Sequence, residues 1–181
     1  GEAGGRLVNR DRMWHYVEGL QNWAPVWPKH AIRILPGPSP LWLDALGRRL
    51  PAPALPGHDT MATLKHLRTT PDLAEHDHSW FIVTQKIIEK EFALSGSEQN
   101  RDITDRKLLK VLAARLGKGA PPAVDAFKHK GADFVFADDL ETLVARMNGL
   151  TERPLLDPAL VRQQVEDRDA QMDNPYAKDF Q

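Results

Sequence analysis

Two consecutive helices, each carrying its own start signal, constrain this chain more than any other feature. The run Phe134–Asn174 reads as a strand, a capped helix, a short loop, a second capped helix and a polar tail. Asp138 precedes Glu141 at capping-box spacing, in which the cap accepts from the backbone and the later acid reaches back. Leu140, Leu143, Val144 and Met147 then recur at helical spacing, and Asn148-Gly149 offers a left-handed stop. Asp157-Pro158 opens the second helix, because a first-turn residue has no intrahelical use for the N–H that proline lacks. Leu156 and Val161 flank that start where a hydrophobic staple closes the entry.

Upstream, the apolar runs are short and punctuated. Asp11–Leu20 has Met13, Tyr16, Val17 and Leu20 at helical spacing. Asn22–Pro40 holds Trp23, Trp27 and five prolines, which exclude a helix, with Ile32–Leu35 as a short strand inside it. Leu41–Leu43 and Arg48–Leu50 read as a hairpin turning at Gly47. A helix capped by Asp59 follows, with Met61, Leu64 and Leu67 inward, and then a polar loop at Pro71–Ser79. Trp80–Thr84 is aromatic and β-branched, the best strand of the chain. Ile87–Leu94 fits helix or strand, its polar residues favouring helix. Ser95–Asn100 is a loop, Thr104–Leu116 a helix stopped by Gly117, and Pro121-Pro122 starts a short helix with Val124 and Phe127 inward. Asp133–Phe136 is the last strand. Helices outnumber strands and do not alternate with them, so the expected class is α+β rather than a doubly wound sheet.

With 181 residues the chain suits one domain, 1–181, able to bury its own core. A net charge of -1 speaks against a nucleic-acid surface or an anionic membrane as partner. The basic run Arg106, Lys107, Lys110, Arg115 and Lys118 reads as the solvated face of a helix whose other face carries Leu108, Leu109, Leu112 and Leu116. There are no cysteines, which removes disulfides, thiolate metal sites and cysteine nucleophiles and suits a cytoplasmic protein. No apolar run reaches membrane-spanning length and no signal peptide is visible.

The paired helices resemble the substrate-capping domain of the FAD-dependent fumarate reductase, succinate dehydrogenase and 3-ketosteroid dehydrogenase family. The matching residues are Ala137, Asp138, Leu140, Glu141 and Leu143, then Asp157, Pro158, Leu160, Val161, Val165 and Arg168. The segments GPSPLWLDALGRRLP and SWFIVTQKIIEKEFALSGSEQN resemble an FAD-binding dehydrogenase branch of the same family. The resemblance implies FAD as cofactor, a small-molecule substrate, a flavin domain of the same polypeptide as partner, and dehydrogenation or reduction of a carbon–carbon bond next to an activating group. A flavin domain of this kind opens with a strand and G-x-G-x-x-G, and this sequence has no such run. The expectation is therefore a cap segment of a longer enzyme, one that does not hold FAD by itself.

In that family the cap tail ends in a basic residue that delivers a proton, and Tyr176-Ala177-Lys178 is the match, with alanine in place of glycine and a shorter spacer before it. Lys178 is thus the candidate proton donor, with a solvated surface lysine as the equal alternative. Trp23, Trp27 and Trp42 are flat apolar surfaces held by prolines and suit the walls of a pocket. Packing the core of an irregular domain is the favoured alternative for them. His30 and Arg33 lie in the same segment, and Tyr176 in the tail, as further substrate-side candidates; the order Pro28-Lys29-His30 departs from the family's histidine–proline strand. His76-Asp77-His78 has two potential metal ligands but no third at matching spacing, and reads as a solvated loop. The rival function is a non-catalytic interaction module that uses the Trp/Pro segment as its contact surface.

Overall fold

Short apolar runs separated by prolines cannot build one continuous sheet, and the computed structural model has two small ones among the described residues. It describes residues 4–6, 8, 18–35, 39–52, 60–94 and 100–176. In chain order the elements are β1 (Gly19–Leu20), β2 (Ile32–Leu35), β3 (Leu41–Leu43), α1 (Thr60–Thr69), β4 (Trp80–Ile82), α2 (Gln85–Lys90), β5 (Ala93–Leu94), α3 (Arg101–Thr104), α4 (Leu108–Leu116), α5 (Pro122–Asp125), α6 (Phe127–Lys130), α7 (Leu140–Asn148) and α8 (Pro158–Asp173). Sheet one is antiparallel in the order β1-β2-β5, with Leu20 opposite Ile32 and Ile34 opposite Leu94. The other is the antiparallel ribbon β3-β4, with Trp42 opposite Phe81. The class is α+β. No described helix is long and apolar enough to cross a membrane.

The β3-β4 ribbon divides the core, because successive side chains of a strand point to opposite faces. Leu41, Leu43, Trp80 and Ile82 face one cluster, which Val144, Met147, Leu156 and Val161 of the α7–α8 pair complete. Trp42 and Phe81 face the other way and stack with ring centroids 4.8 Å apart. Phe81 and Val83 also reach a third cluster, built on Ile32, Ile88, Phe92, Val124 and Phe127.

Asp44 fixes the turn after β3. Its buried carboxylate accepts from the backbone N–H of Leu46 at 2.8 Å and of Arg48 at 3.0 Å, and from Arg48 Nε at 2.8 Å. Gly47 takes φ +83° there, and a Cβ on it would meet Leu156 at 3.1 Å and Val161 at 3.3 Å. Glycine is needed twice over, for the left-handed backbone and for the close approach of the α8 entry. Arg48 reaches on to Asp72 at 2.6 Å, tying the turn to the loop after α1. That bond holds the guanidinium pKa up, Asp44 adding to it against partial burial, and it holds the Asp72 carboxyl below its ordinary value.

The staple at the α8 start forms as expected, with Leu156 and Val161 both buried and Asp157 accepting from Ala159 N–H at 2.9 Å. Several other expectations are corrected. Asp139, not Asp138, caps α7: its carboxylate accepts from Thr142 N–H at 2.8 Å, and Glu141 instead pairs with Arg162 of α8. Gly149 ends α7 at φ −72°, so no left-handed stop is used; the Asn148 side chain turns the chain instead. Residues 133–136 are extended or turning and pair with no strand among the described residues; Asp133 holds the segment through the Gln21 N–H and Phe134 through Phe127. Gly19 and Leu20 form β1 rather than the end of a helix, and residues 11–17 lie outside the described set, as do Asp59 and residues 95–99. Trp80–Thr84 shortens to β4, since Thr84 caps α2 by accepting from Ile87 N–H. The segment after Ile87 is helix and then strand. Met61 is exposed, and Thr63 takes the buried position of α1. The helix expected over Thr104–Leu116 breaks at Arg106, whose φ is +57°, and resumes only at Leu108.

Candidate functional site

Between β4, the extended segment 133–138 and α1 lies an open cleft of about 1350 Å³. Trp80, Phe81 and Phe134 supply half-buried aromatic surface to it. Their positions follow from the fold: β4 is pinned by its register with β3, and Phe134 packs on Phe127 with ring centroids 5.7 Å apart. Asp133 anchors the segment that carries Phe134, its carboxylate accepting from Gln21 N–H of the first sheet's edge at 2.8 Å. At the far end of that segment Arg146 of α7 donates to the Phe136 carbonyl and lies over the Phe136 ring, 5.9 Å from its centroid.

The rim is polar and of mixed sign. Arg68 of α1 donates to the His76 carbonyl at 3.4 Å, and Lys128 donates to the Gln85 amide at 2.6 Å. His78 sits edge-on to Trp80, with centroids 5.0 Å apart, and its Nδ1 is 3.4 Å from Asp77. Its Nε2 is buried without a hydrogen-bond partner. The His76 and His78 rings lie 6.1 Å apart, and no group of three metal-ligating side chains occurs among the described residues. The arrangement can hold a flat apolar body against the aromatic surface while polar groups at the rim orient it.

The residues singled out from sequence do not share one place. Trp42 is wholly buried on Phe81 and donates its Nε1 to Ser79 at 3.0 Å. Trp23 is half-buried, edge-on to Phe127 with centroids 5.0 Å apart. Trp27 is 57% exposed and stacks on His30 at 4.0 Å, so those two are brought together. Arg33 lies on β2 opposite Gly19. Tyr176 is 96% exposed, and Lys178 falls outside the described residues. Sequence reasoning missed the cleft's own aromatics. The signal was present in Trp80-Phe81-Ile82-Val83, where an aromatic on each face of one strand must either meet two cores or border an opening.

A dinucleotide cofactor is gripped at its diphosphate by backbone N–H groups of a glycine turn that opens a helix. The described residues do not fit that task. Gly47 has its space filled by Leu156 and Val161, and no helix follows it directly. Gly119 has φ +84° and leads to α5, but Pro121 and Pro122 stand at that helix start and have no N–H to offer.

Comparison with known proteins supplies the relationship. Residues 2–180 match the family described as FAD binding domain. A KsdD-like steroid dehydrogenase of Mycobacterium tuberculosis (strain CDC 1551 / Oshkosh) is 51% identical over 180 residues, covering 99% of this chain and 31% of that protein. A KsdD-like steroid dehydrogenase of Mycolicibacterium smegmatis is 51% identical over 179 residues, again 99% of this chain and 32% of that protein. No solved structure matches. The chain thus spans about a third of the length of the curated relatives it matches. With a family match over nearly its whole length and relatives 51% identical across it, the chain belongs to the FAD binding domain family.

Proposed function

We propose that residues 1–181 form a single substrate-side cap of an FAD-dependent oxidoreductase that acts on a carbon–carbon bond next to an activating group. The observation that carries this reading is a cleft with aromatic surface in a family member whose described residues offer no grip for the cofactor's diphosphate. The flavin-binding residues then belong to another part of the same polypeptide. The redox chemistry is the cofactor's. This chain's share is to orient the substrate, exclude water and hold a proton at Lys178 Nζ.

The aromatic cleft and the mixed charge of its rim favour a flat apolar carbonyl compound, and the relatives' name is that of steroid dehydrogenases. A dicarboxylate would need several arginines converging on one point, and Arg33 and Arg48 lie on different elements, with Arg48 committed to Asp44 and Asp72. In this reading Trp80, Phe81 and Phe134 of the cleft hold the substrate's flat body and Trp42 supports β4 from within, while Trp23, Trp27, His30, Arg33 and Tyr176, which do not line the cleft, are proposed as outlying substrate-side contacts, Trp27 stacked on His30.

The test is anaerobic titration of the full-length protein with a steroid ketone and with a dicarboxylate, following flavin absorbance. Bleaching by the steroid alone is expected. A colourless full-length protein, or bleaching by the dicarboxylate alone, sinks the reading.

A further inference from the structure

Leu108, Leu109, Leu112 and Leu116 fall within one side of α4, yet they are 75%, 84%, 55% and 78% exposed. Ile103 of the preceding α3 is exposed as well. Single exposed leucines are ordinary, but four on one helix face form a patch of the kind that marks a docking surface. The arm made by α3 and α4 cannot account for its own stability. Helix α4 packs chiefly on α3, and no described residue from 101 to 118 joins any of the three apolar clusters. A helix of nine residues without tertiary support is marginal in water. Something must cover this face.

Charge decides between a second copy and a different surface. Residues 101–118 contain Arg101, Arg106, Lys107, Lys110, Arg115 and Lys118 against only Asp102 and Asp105. Lys107 already pairs with Asp105 at 2.7 Å and lies 3.7 Å from Asp102, so both acids of the arm are engaged within it. A two-fold contact between copies would bring two such basic arms together, and like charges at an interface cost affinity. The face therefore suits an apolar surface with an acidic rim. The curated relatives carry about two thirds of their length outside the part this chain matches, which is ample chain to supply it.

We infer that the leucine face of α4 docks on the flavin-binding portion of the same polypeptide, through an apolar patch rimmed by acidic side chains. This rests on the cap reading above. The arm then acts as a fastening between cap and flavin portion, separate from the cleft: none of residues 101–118 lines it.

Hydrogen exchange on the full-length protein tests this, read at the amides of residues 108–116 over a tenfold range of protein concentration. In the wild type these amides are expected to exchange at least about tenfold more slowly than in Leu109→Asp, at every concentration, because docking closes the local opening that exchange needs. Should Leu109→Asp fail to fold, Leu109→Ala is expected to show the same direction to a smaller extent. Fast exchange across α4 in the folded wild type overturns the inference. So does protection that grows with concentration, which would assign the face to a second copy. Flavin colour is read in the same sample, so a yellow protein with an unprotected α4 defeats the docking alone, whereas a colourless protein defeats the cap reading.

Discussion

The Asn148 side chain grips the backbone of Leu156 from both sides. Its Nδ2 donates to the Leu156 carbonyl at 2.9 Å and its Oδ1 accepts from the Leu156 N–H at 2.9 Å. One amide thus closes the loop between α7 and α8 and sets Leu156 against Val161 and Gly47. Only a carboxamide offers a donor and an acceptor at the required separation.

Asn148→Ala leaves both backbone groups of Leu156 without that partner, in a part-buried loop. Urea denaturation is expected to show a loss of about 1–3 kcal/mol, the range for part-buried hydrogen bonds left unmade. Asn148→Asp keeps the acceptor and loses the donor, so it should fall between alanine and wild type. A wild-type midpoint for the alanine variant would show that the loop is held by its apolar contacts alone.

The two neighbouring aspartates before α7 are expected to differ. Asp139→Ala removes the cap on Thr142 N–H, whereas Asp138 makes no cap. The first should lower the melting temperature by roughly 2–4 °C, and the second should leave it near wild type. The Thr142 backbone N–H, helped by its hydroxyl, holds the Asp139 pKa below its ordinary value. A depressed folded-state pKa gives stability that is present above the unfolded value, near 3.9, and lost as pH falls through the folded one. The gap between wild type and Asp139→Ala should therefore narrow only in that acid range. A gap already closed at neutral pH would contradict the cap.

Val144 has no exposed surface, and its cluster is wholly apolar. Val144→Asp is expected to cost several kcal/mol, on the order given for an unpaired buried carboxylate. Glu141→Ala loses only the exposed pair with Arg162, worth about 0–1 kcal/mol. Similar melting curves for the two variants would mean that the buried face of α7 has been misassigned.

Calorimetry of residues 1–181 with FAD should show no binding at micromolar concentration, since no diphosphate cradle is found among the described residues. Micromolar affinity would require a cofactor grip elsewhere in this chain and would overturn the cap reading.

The proposed proton-donor role of Lys178 predicts that in the full-length protein Lys178→Met leaves flavin content and folding intact while turnover falls by roughly 10²–10⁴, the usual share of general acid–base catalysis. A lysine closed away from water can have its pKa lowered into the working range. Turnover near wild type would return Lys178 to the solvated surface.

By itself, the sequence determined what is local. Asp157-Pro158 starts α8, the Leu140, Leu143, Val144 and Met147 stripe faces inward, Gly47 turns the hairpin, and Val124 and Phe127 are buried. These features need only near neighbours: a cap and its N–H, a period of 3.6, or a positive φ. Tertiary structure decided the rest. Asp138 and Asp139 are chemically alike, and the path of the chain from Phe134 to Ala137 selected which of them caps α7. Asp133–Phe136 has the composition of a strand, but a strand exists only where the backbone meets a partner edge, and among the described residues this segment is held instead by Asp133 on the Gln21 N–H and by Phe134 on Phe127. Three tryptophans of one type ended buried, half-buried and exposed, because their environments are set by Phe81, Phe127 and His30 from distant or irregular segments. The leucine period of α4 announces an apolar face but not what covers it, and the described residues leave that face exposed. Periodicity is a property of one segment, whereas burial belongs to two surfaces at once.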